Sequence, residues 1–266
     1  MLVFPNAKIN LGLNITAKRA DGYHDIESCF YPIPIKDALE IIPSEKLEFQ
    51  TTGLEIPGNY EHNLVIKAFN TVKERYNIPN VKIILHKHIP MGAGMGGGSA
   101  DGSFMLNLLN DYFNLNLSIS EREEMALQLG SDCPFFIENK PKFVSGRGEI
   151  FEDCNLDLSG MYLGIIYPGI HIGTAEAYSG IIPKKPDASV KEVINNFAIQ
   201  DWKDKLKNDF EESVFQKHPQ LKGIKQSLYD SGAIYASMTG SGSTIFGLFN
   251  DNSDVESIKA DQILKL

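Results

Sequence analysis

The chain has 266 residues, 42% of them hydrophobic and 22% charged, enough for two ordinary domains or one large one with a buried core, which excludes a disordered or fibrous protein. A formal net charge of −9 excludes a broad electrostatic grip on nucleic acid, so any phosphate it holds is held locally. Cys29, Cys133 and Cys154 form neither an even set nor a CxxC pair, which leaves a disulfide framework and a structural zinc site without support and fits a reducing cytoplasm.

Along the chain, alternation from Val3 through Ile15 predicts a strand interrupted by Pro5-Asn6-Ala7-Lys8, followed by a turn at Asp21-Gly22-Tyr23-His24. Lys8 is therefore expected early in a strand. Leu64, Val65, Ala68, Phe69, Val72 and Tyr76 fall at helical spacing and predict a helix over 62–77; residues 81–89 then read as a strand. Next come five glycines within seven residues, at 92, 94, 96, 97 and 98, and a helix from about Ser99 with apolar pairs Phe104/Met105, Leu108/Leu109 and Tyr112/Phe113. Ser120 with Glu123 predicts a capping box for a further helix that Gly130 ends, leaving Asp132 in the loop just beyond.

From about residue 153 the pattern changes: a strand (MYLGIIYP), helical stretches at 190–198, 201–215 and 219–230, two strands (AIYASMTG and STIFGLF) joined by the glycine-rich turn 239–243, and a last short helix. The expectation is an α+β protein of two domains, 1–152 and 153–266, the second with helices on an antiparallel sheet. No run reaches the roughly 18 apolar residues of a membrane span, and the start MLVFPNAKINL carries no basic leader. The expected setting is cytoplasmic, with a small-molecule substrate, no membrane or nucleic-acid partner, and a monomer or weak homodimer.

The glycine segment carries the chemistry. Residues without side chains let backbone N–H groups approach an anion closely, adopt positive φ, and align with the positive end of the following helix, so a nucleotide or another phosphate ester is expected there. Gly92, Gly94 and Gly97 satisfy the dinucleotide GxGxxG pattern, but the acidic residue about 20 positions on should end a strand, whereas Asp111 falls inside a predicted helix. A Walker A loop needs Gly-Lys-Ser/Thr, and here the glycines run into Ser99-Ala100-Asp101 without a lysine. His86 and His88 share one strand face without a third ligand, so no metal residue is assigned.

Residues 90–101 (PMGAGMGGGSAD), the opening 5–28 (PNAKINLGLNITAKRADGYHDIES), 63–68 (NLVIKA), 129–136 (LGSDCPFF) and 238–249 (MTGSGSTIFGLF) together resemble the GHMP kinases, in order along almost the whole chain. The DGYH opening resembles most closely the branch that acts on 4-diphosphocytidyl-2-C-methyl-D-erythritol on the non-mevalonate route to isoprenoid precursors. The resemblance implies an N-terminal ribosomal-protein-S5-like domain that binds ATP and a C-terminal ferredoxin-like α/β sandwich contributing to the substrate cleft. It also implies ATP-dependent phosphorylation of the tertiary 2-hydroxyl of that substrate.

On this resemblance Lys8 and Asp132 match the catalytic pair: Asp132 accepts or orients the hydroxyl proton, and Lys8 keeps the carboxylate ionised and offsets charge at the γ-phosphate. Pro90, Met91, Gly92, Ala93, Gly94, Met95, Gly96, Gly97, Gly98, Ser99 and Ala100 match the ATP loop, with Asn63, Leu64 and Lys87 in the adenine surroundings. Tyr23 and His24 match a cytidine clamp, with Tyr178 as the opposite aromatic wall and Asn10 on the methylerythritol hydroxyls. Gly240, Ser241 and Gly242 match a turn that approaches the loop and the substrate phosphates. Where other members read Gly-Leu-Gly-Ser-Ser, this chain has Gly94-Met-Gly-Gly-Gly98, so a hydroxyl that elsewhere can ligate Mg²⁺ is absent and the ion is expected on phosphate oxygens and water.

Overall fold

The computed structural model describes residues 1–250 and 260–266; the last short helix expected from the sequence falls outside the described residues. The elements in chain order are β1 (Leu2–Val3), β2 (Asn6–Lys18), β3 (His24–Lys36), β4 (Ala38–Pro43), β5 (Glu48–Gly53), α1 (Leu64–Tyr76), β6 (Val81–Lys87), α2 (Gly97–Phe113), α3 (Ile119–Leu129) and α4 (Phe135–Glu138). They continue with β7 (Lys142–Ser145), β8 (Ile150–Asp153), β9 (Tyr162–Ile166), α5 (Thr174–Ser179), α6 (Val190–Asn196), α7 (Trp202–Lys205), α8 (Phe210–Lys217), α9 (Pro219–Asp230), β10 (Tyr235–Met238), β11 (Ile245–Phe249) and β12 (Gln262–Lys265).

The chain forms two compact units that interleave along the sequence. One comprises Met1–Lys8, Pro32–Met91 and Gly96–Lys140; the other comprises Ile9–Tyr31, Gly92–Met95 and Pro141–Leu266. In the first unit the sheet order is β1-β4-β6-β5, with β5 parallel to β6 and the other pairs antiparallel. Alternation in β6 turns Val81, Ile83 and Leu85 inward, where they join Val65, Phe69 and Val72 of α1 and Met105, Leu108 and Leu109 of α2 in one core. This core seats the strand that leads into the glycine loop and the helix that leaves it.

In the second unit, β10-β11-β9-β12 is antiparallel throughout, and α9 packs on it through Leu221 and Leu228. A further sheet runs β2-β3-β7-β8. The three cysteines are free and buried, with Cys29 and Cys154 sulfurs 3.7 Å apart.

Three element boundaries differ from the sequence reading. The capping box is at Ser118 and Glu121, two positions earlier than expected, because Ile119 already lies in the helix and the Ser118 hydroxyl accepts the Glu121 N–H. The helical stretch expected at 201–215 is two helices, since Leu206–Asp209 turns aside to meet β2: Leu13 donates its N–H to Lys207 O, and Asp209 donates its own to Leu13 O. The helix after the loop starts at Gly97 rather than near Ser99, with Gly96 as its N-cap at φ +70°.

Candidate active site

Lys8, third in β2, is almost fully buried, and its ammonium lies 3.5 Å from Asp132 Oδ2; the two side chains are 4% and 36% exposed. Burial lowers the Lys8 pKa below the ordinary lysine value, and the neighbouring Asp132 opposes that shift without cancelling it. Asp132 sits between α3 and α4 on a turn fastened from below. The Ser103 hydroxyl of α2 donates to Cys133 O at 2.6 Å, and the enclosed Cys133 thiol, pushed up to about 12 by burial, stays a thiol. The result is a rigidly supported carboxylate with one open side.

The loop comes to this pair through Gly96. A Cβ there would lie 3.1 Å from the Phe136 ring and 3.3 Å from the Lys8 stem, on a backbone whose positive φ disfavours any side chain. Only glycine lets the helix begin against Lys8. No side chain caps α2, and its first internal hydrogen bond runs from Ala100 N–H to Gly96 O, so the N–H groups of Gly97, Gly98 and Ser99 have no carbonyl within the helix to bond. A Cβ on Gly98 would meet nothing within 4 Å, so the space beside that residue is open, whereas one on Gly97 would meet Ile89 and Lys87. These amides stand at the positive end of a helix of 17 residues.

The earlier part of the loop belongs to the second unit. Gly94 has φ +78°, and a Cβ there would stand 2.1 Å from Thr239 O. The Thr239 hydroxyl accepts the Asn10 N–H at 3.0 Å and lies 3.1 Å from Gly94 O and 3.2 Å from Asn10 Oδ1. Gly240 abuts Gly94 in turn, 3.0 Å from Gly94 O by the same construction, and Gly242 donates its N–H to Thr239 O. Asn208 holds this turn by donating to Met238 O and Gly240 O at 2.7 and 2.9 Å. Ala93 and Met95 are buried, Gly92 packs beside His171, and Met91 is exposed.

The remaining expected residues fall as follows. The Asn63 side chain caps α1 by accepting the Val65 N–H, and Leu64 opens that helix against Gly102 of α2. Lys87 is 1% exposed, its ammonium enclosed between the Asp37 and Asp101 carboxylates rather than presented to a ligand. Asn10 is buried, its amide donating to Ser28 Oγ at 2.9 Å. His24 stacks directly on Tyr178 with ring centroids 4.8 Å apart, which leaves no room for a third ring between them, while Tyr23 is 58% exposed with the Arg147 guanidinium 5.0 Å from its ring. Ser241 lies between the two glycines of its turn.

Five residues at these positions had not been singled out from the sequence: Asp37, Asp101, Thr239, Asn208 and Arg147. Thr239 and Asp101 flank the two glycine-rich turns directly, a local signal. Asp37 and Asn208 meet their partners across about 50 and 30 residues and had none.

Comparison with known proteins decides the family. Residues 63–140 match the GHMP kinases N terminal domain, and residues 189–261 match the GHMP kinases C terminal domain. The 4-diphosphocytidyl-2-C-methyl-D-erythritol kinase of Parabacteroides distasonis is 52% identical over 94% of this chain and 92% of its own length; that of Bacteroides fragilis is 51% identical over 96% and 94%. The chain belongs to the GHMP kinases, in the family of the 4-diphosphocytidyl-2-C-methyl-D-erythritol kinases. A crystal structure of a 4-(cytidine 5'-diphospho)-2C-methyl-D-erythritol kinase superposes with a TM-score of 0.82 at 28% identity, covering 96% of this chain and 92% of that one. The homoserine kinase of Cytophaga hutchinsonii, at 18% identity and a TM-score of 0.68 over 94% and 87%, shares the fold.

As a GHMP kinase the chain is a small-molecule kinase of two-domain α+β architecture. Among the described residues no helix is long and apolar enough to cross a membrane.

Proposed function

We propose that this GHMP kinase transfers the γ-phosphoryl group of ATP to the 2-hydroxyl of 4-diphosphocytidyl-2-C-methyl-D-erythritol. The observation that carries the reading is Gly96 against the Lys8 stem, which joins an uncapped helix terminus to the Lys8–Asp132 pair within one unit. The amides of Gly97, Gly98 and Ser99 hold phosphate oxygens, and the α2 terminus adds its field. Asp132, open on one side, accepts or orients the proton of the attacking hydroxyl. Lys8, fixed and desolvated beside it, offsets negative charge between nucleophile and phosphorus. Transfer is direct and in line, without a phosphoenzyme.

Among the described residues no group of three His, Cys, Asp or Glu side chains is arranged to hold a metal ion. Mg²⁺ is proposed to travel on the triphosphate, as an ion that keeps much of its water and uses few protein carboxylates. Bound there, Mg²⁺ supplies neutralisation of phosphate charge. The cytidine is assigned to Tyr23, His24 and Tyr178, and the methylerythritol hydroxyls to Asn10. The exposed face of Tyr23 offers stacking, and Arg147 beside it offers a cation to a diphosphate.

A coupled assay of ADP release tests the reading. Turnover with the cytidyl substrate and none with homoserine or mevalonate is the expected result; turnover with either of the latter in preference to the former would overturn it.

A further inference from the structure

Outside the residues used for phosphoryl transfer, the first unit encloses three ionisable side chains in contact. We propose that Asp37, Lys87 and Asp101 are positioning residues, a clamp that ties the exit of β6 to the entry of α2 and so sets the shape of the triphosphate loop between them. This rests on the reading of that loop given above. Lys87 is the last residue of β6, and its ammonium donates to Asp37 Oδ2 and, at 2.7 Å, to Asp101 Oδ2. The other oxygen of Asp37 accepts the N–H groups of His88 and Ile89 at 2.6 and 2.8 Å, the two residues that carry the chain out of the strand toward the loop. Asp101 is the fifth residue of α2, on the far side of the loop.

One ammonium therefore touches both flanks of the glycine segment. Gly97 is held to the same cluster: a Cβ there would stand 3.0 Å from Lys87 Nζ and 2.7 Å from Ile89 Cγ2. Buried ion clusters are poor sources of net stability, because desolvation offsets the attraction; what they fix well is relative position. Burial pushes Asp101 up to about 8, against the pull of Lys87, and its Oδ1 is buried without a hydrogen-bond partner.

The test measures binding of an unreactive ATP analogue and of inorganic tripolyphosphate, which has no base, to the intact protein. Lys87→Met and Asp37→Asn should each weaken both ligands by the same factor, about tenfold or more, while the double variant is no worse than the weaker single one. Loss of the ATP analogue with tripolyphosphate binding unchanged would make Lys87 a contact to the nucleoside and overturn the clamp, as would independent, multiplying effects of the two substitutions. If Lys87→Met does not fold, Asp37→Asn and Asp101→Leu carry the same comparison. Should wild type bind neither ligand, the loop assignment fails on its own. The clamp is then read from amide hydrogen exchange of residues 88–100 in the ligand-free protein, which must quicken in Asp37→Asn with the α9 and β11 amides unchanged; unaltered exchange over 88–100 overturns it.

Discussion

The Lys8 ammonium stands 3.5 Å from Asp132 Oδ2, yet the lysine is buried and the aspartate is open to solvent on one side. In the proposed reaction this arrangement divides the work: the fixed cation holds charge in place, and the reachable carboxylate meets the acceptor. Asp132→Asn keeps the shape and removes the proton acceptor, so kcat should fall by about 10²–10⁴-fold while affinity for the ATP analogue changes by less than about threefold. Wild-type kcat in this variant, measured by steady-state kinetics, would remove Asp132 from the reaction.

The same pair gives a pH dependence with a definite sign. Burial lowers the Lys8 pKa, so as pH rises Lys8 loses its proton before an ordinary lysine would, and the charge needed at phosphorus goes with it. The alkaline limb of kcat should therefore begin below the ordinary lysine range. Lys8→Arg, which stays charged, should abolish that limb whatever its lower absolute rate. An identical limb in both proteins would assign it to another group.

Gly96→Val places a β-branched side chain at φ +70° against the Phe136 ring and the Lys8 stem. We expect the Michaelis constant for ATP to rise about tenfold or more and stability to fall by about 1–3 kcal/mol. Gly98→Ala, where a Cβ meets open space, should cost little stability and raise the same Michaelis constant by intruding on the ligand. Unchanged ATP kinetics in both variants would take the triphosphate off this loop.

Tyr23 is the exposed ring of the cytidine assignment, since His24 and Tyr178 cover one another. Loss of base stacking is worth about 1–3 kcal/mol. Tyr23→Ala should accordingly raise the Michaelis constant for the cytidyl substrate by about 5–150-fold with that for ATP unchanged. Thermal stabilisation by cytidine diphosphate should shrink in parallel; equal stabilisation of both proteins would place the base elsewhere.

Asp101 makes folding stability fall with rising pH. Its folded pKa is raised to about 8 by burial, with Lys87 pulling it down and Asp37 pushing it up. From the ordinary carboxylate range up to about 8 the folded protein holds a proton that the unfolded chain has released, so the stability present at low pH is lost at up to about 1.4 kcal/mol per pH unit. Urea unfolding of wild type and Asp101→Asn at about pH 5.5 and about pH 7.5 should show the variant lacking this part of the slope. The same slope in both would mean that Asp101 is ionised throughout.

The parts of the site that lie on one short stretch were legible from the sequence. The glycine run, the helix behind it and the loop position of Asp132 all follow from turn chemistry and apolar periodicity over a few residues. The opening and closing motifs added the family. Boundaries were less legible. The capping box moved from Ser120 to Ser118 because two overlapping Ser-x-x-Glu patterns compete and only packing selects one. The stretch 201–215 broke because β2 supplies backbone partners that no local pattern announces.

The sequence by itself determined the class of fold, the glycine loop with the helix behind it and the loop position of Asp132, because glycine conformation, helix periodicity and motif spacing act over a turn or two. Tertiary structure alone decided that Lys87 is enclosed by Asp37 and Asp101, that His24 and Tyr178 cover each other, and that Thr239 meets Gly94. Each of those contacts joins residues 14 to 154 positions apart, and only chain folding, through burial and the pairing of buried polar groups, brings them within reach.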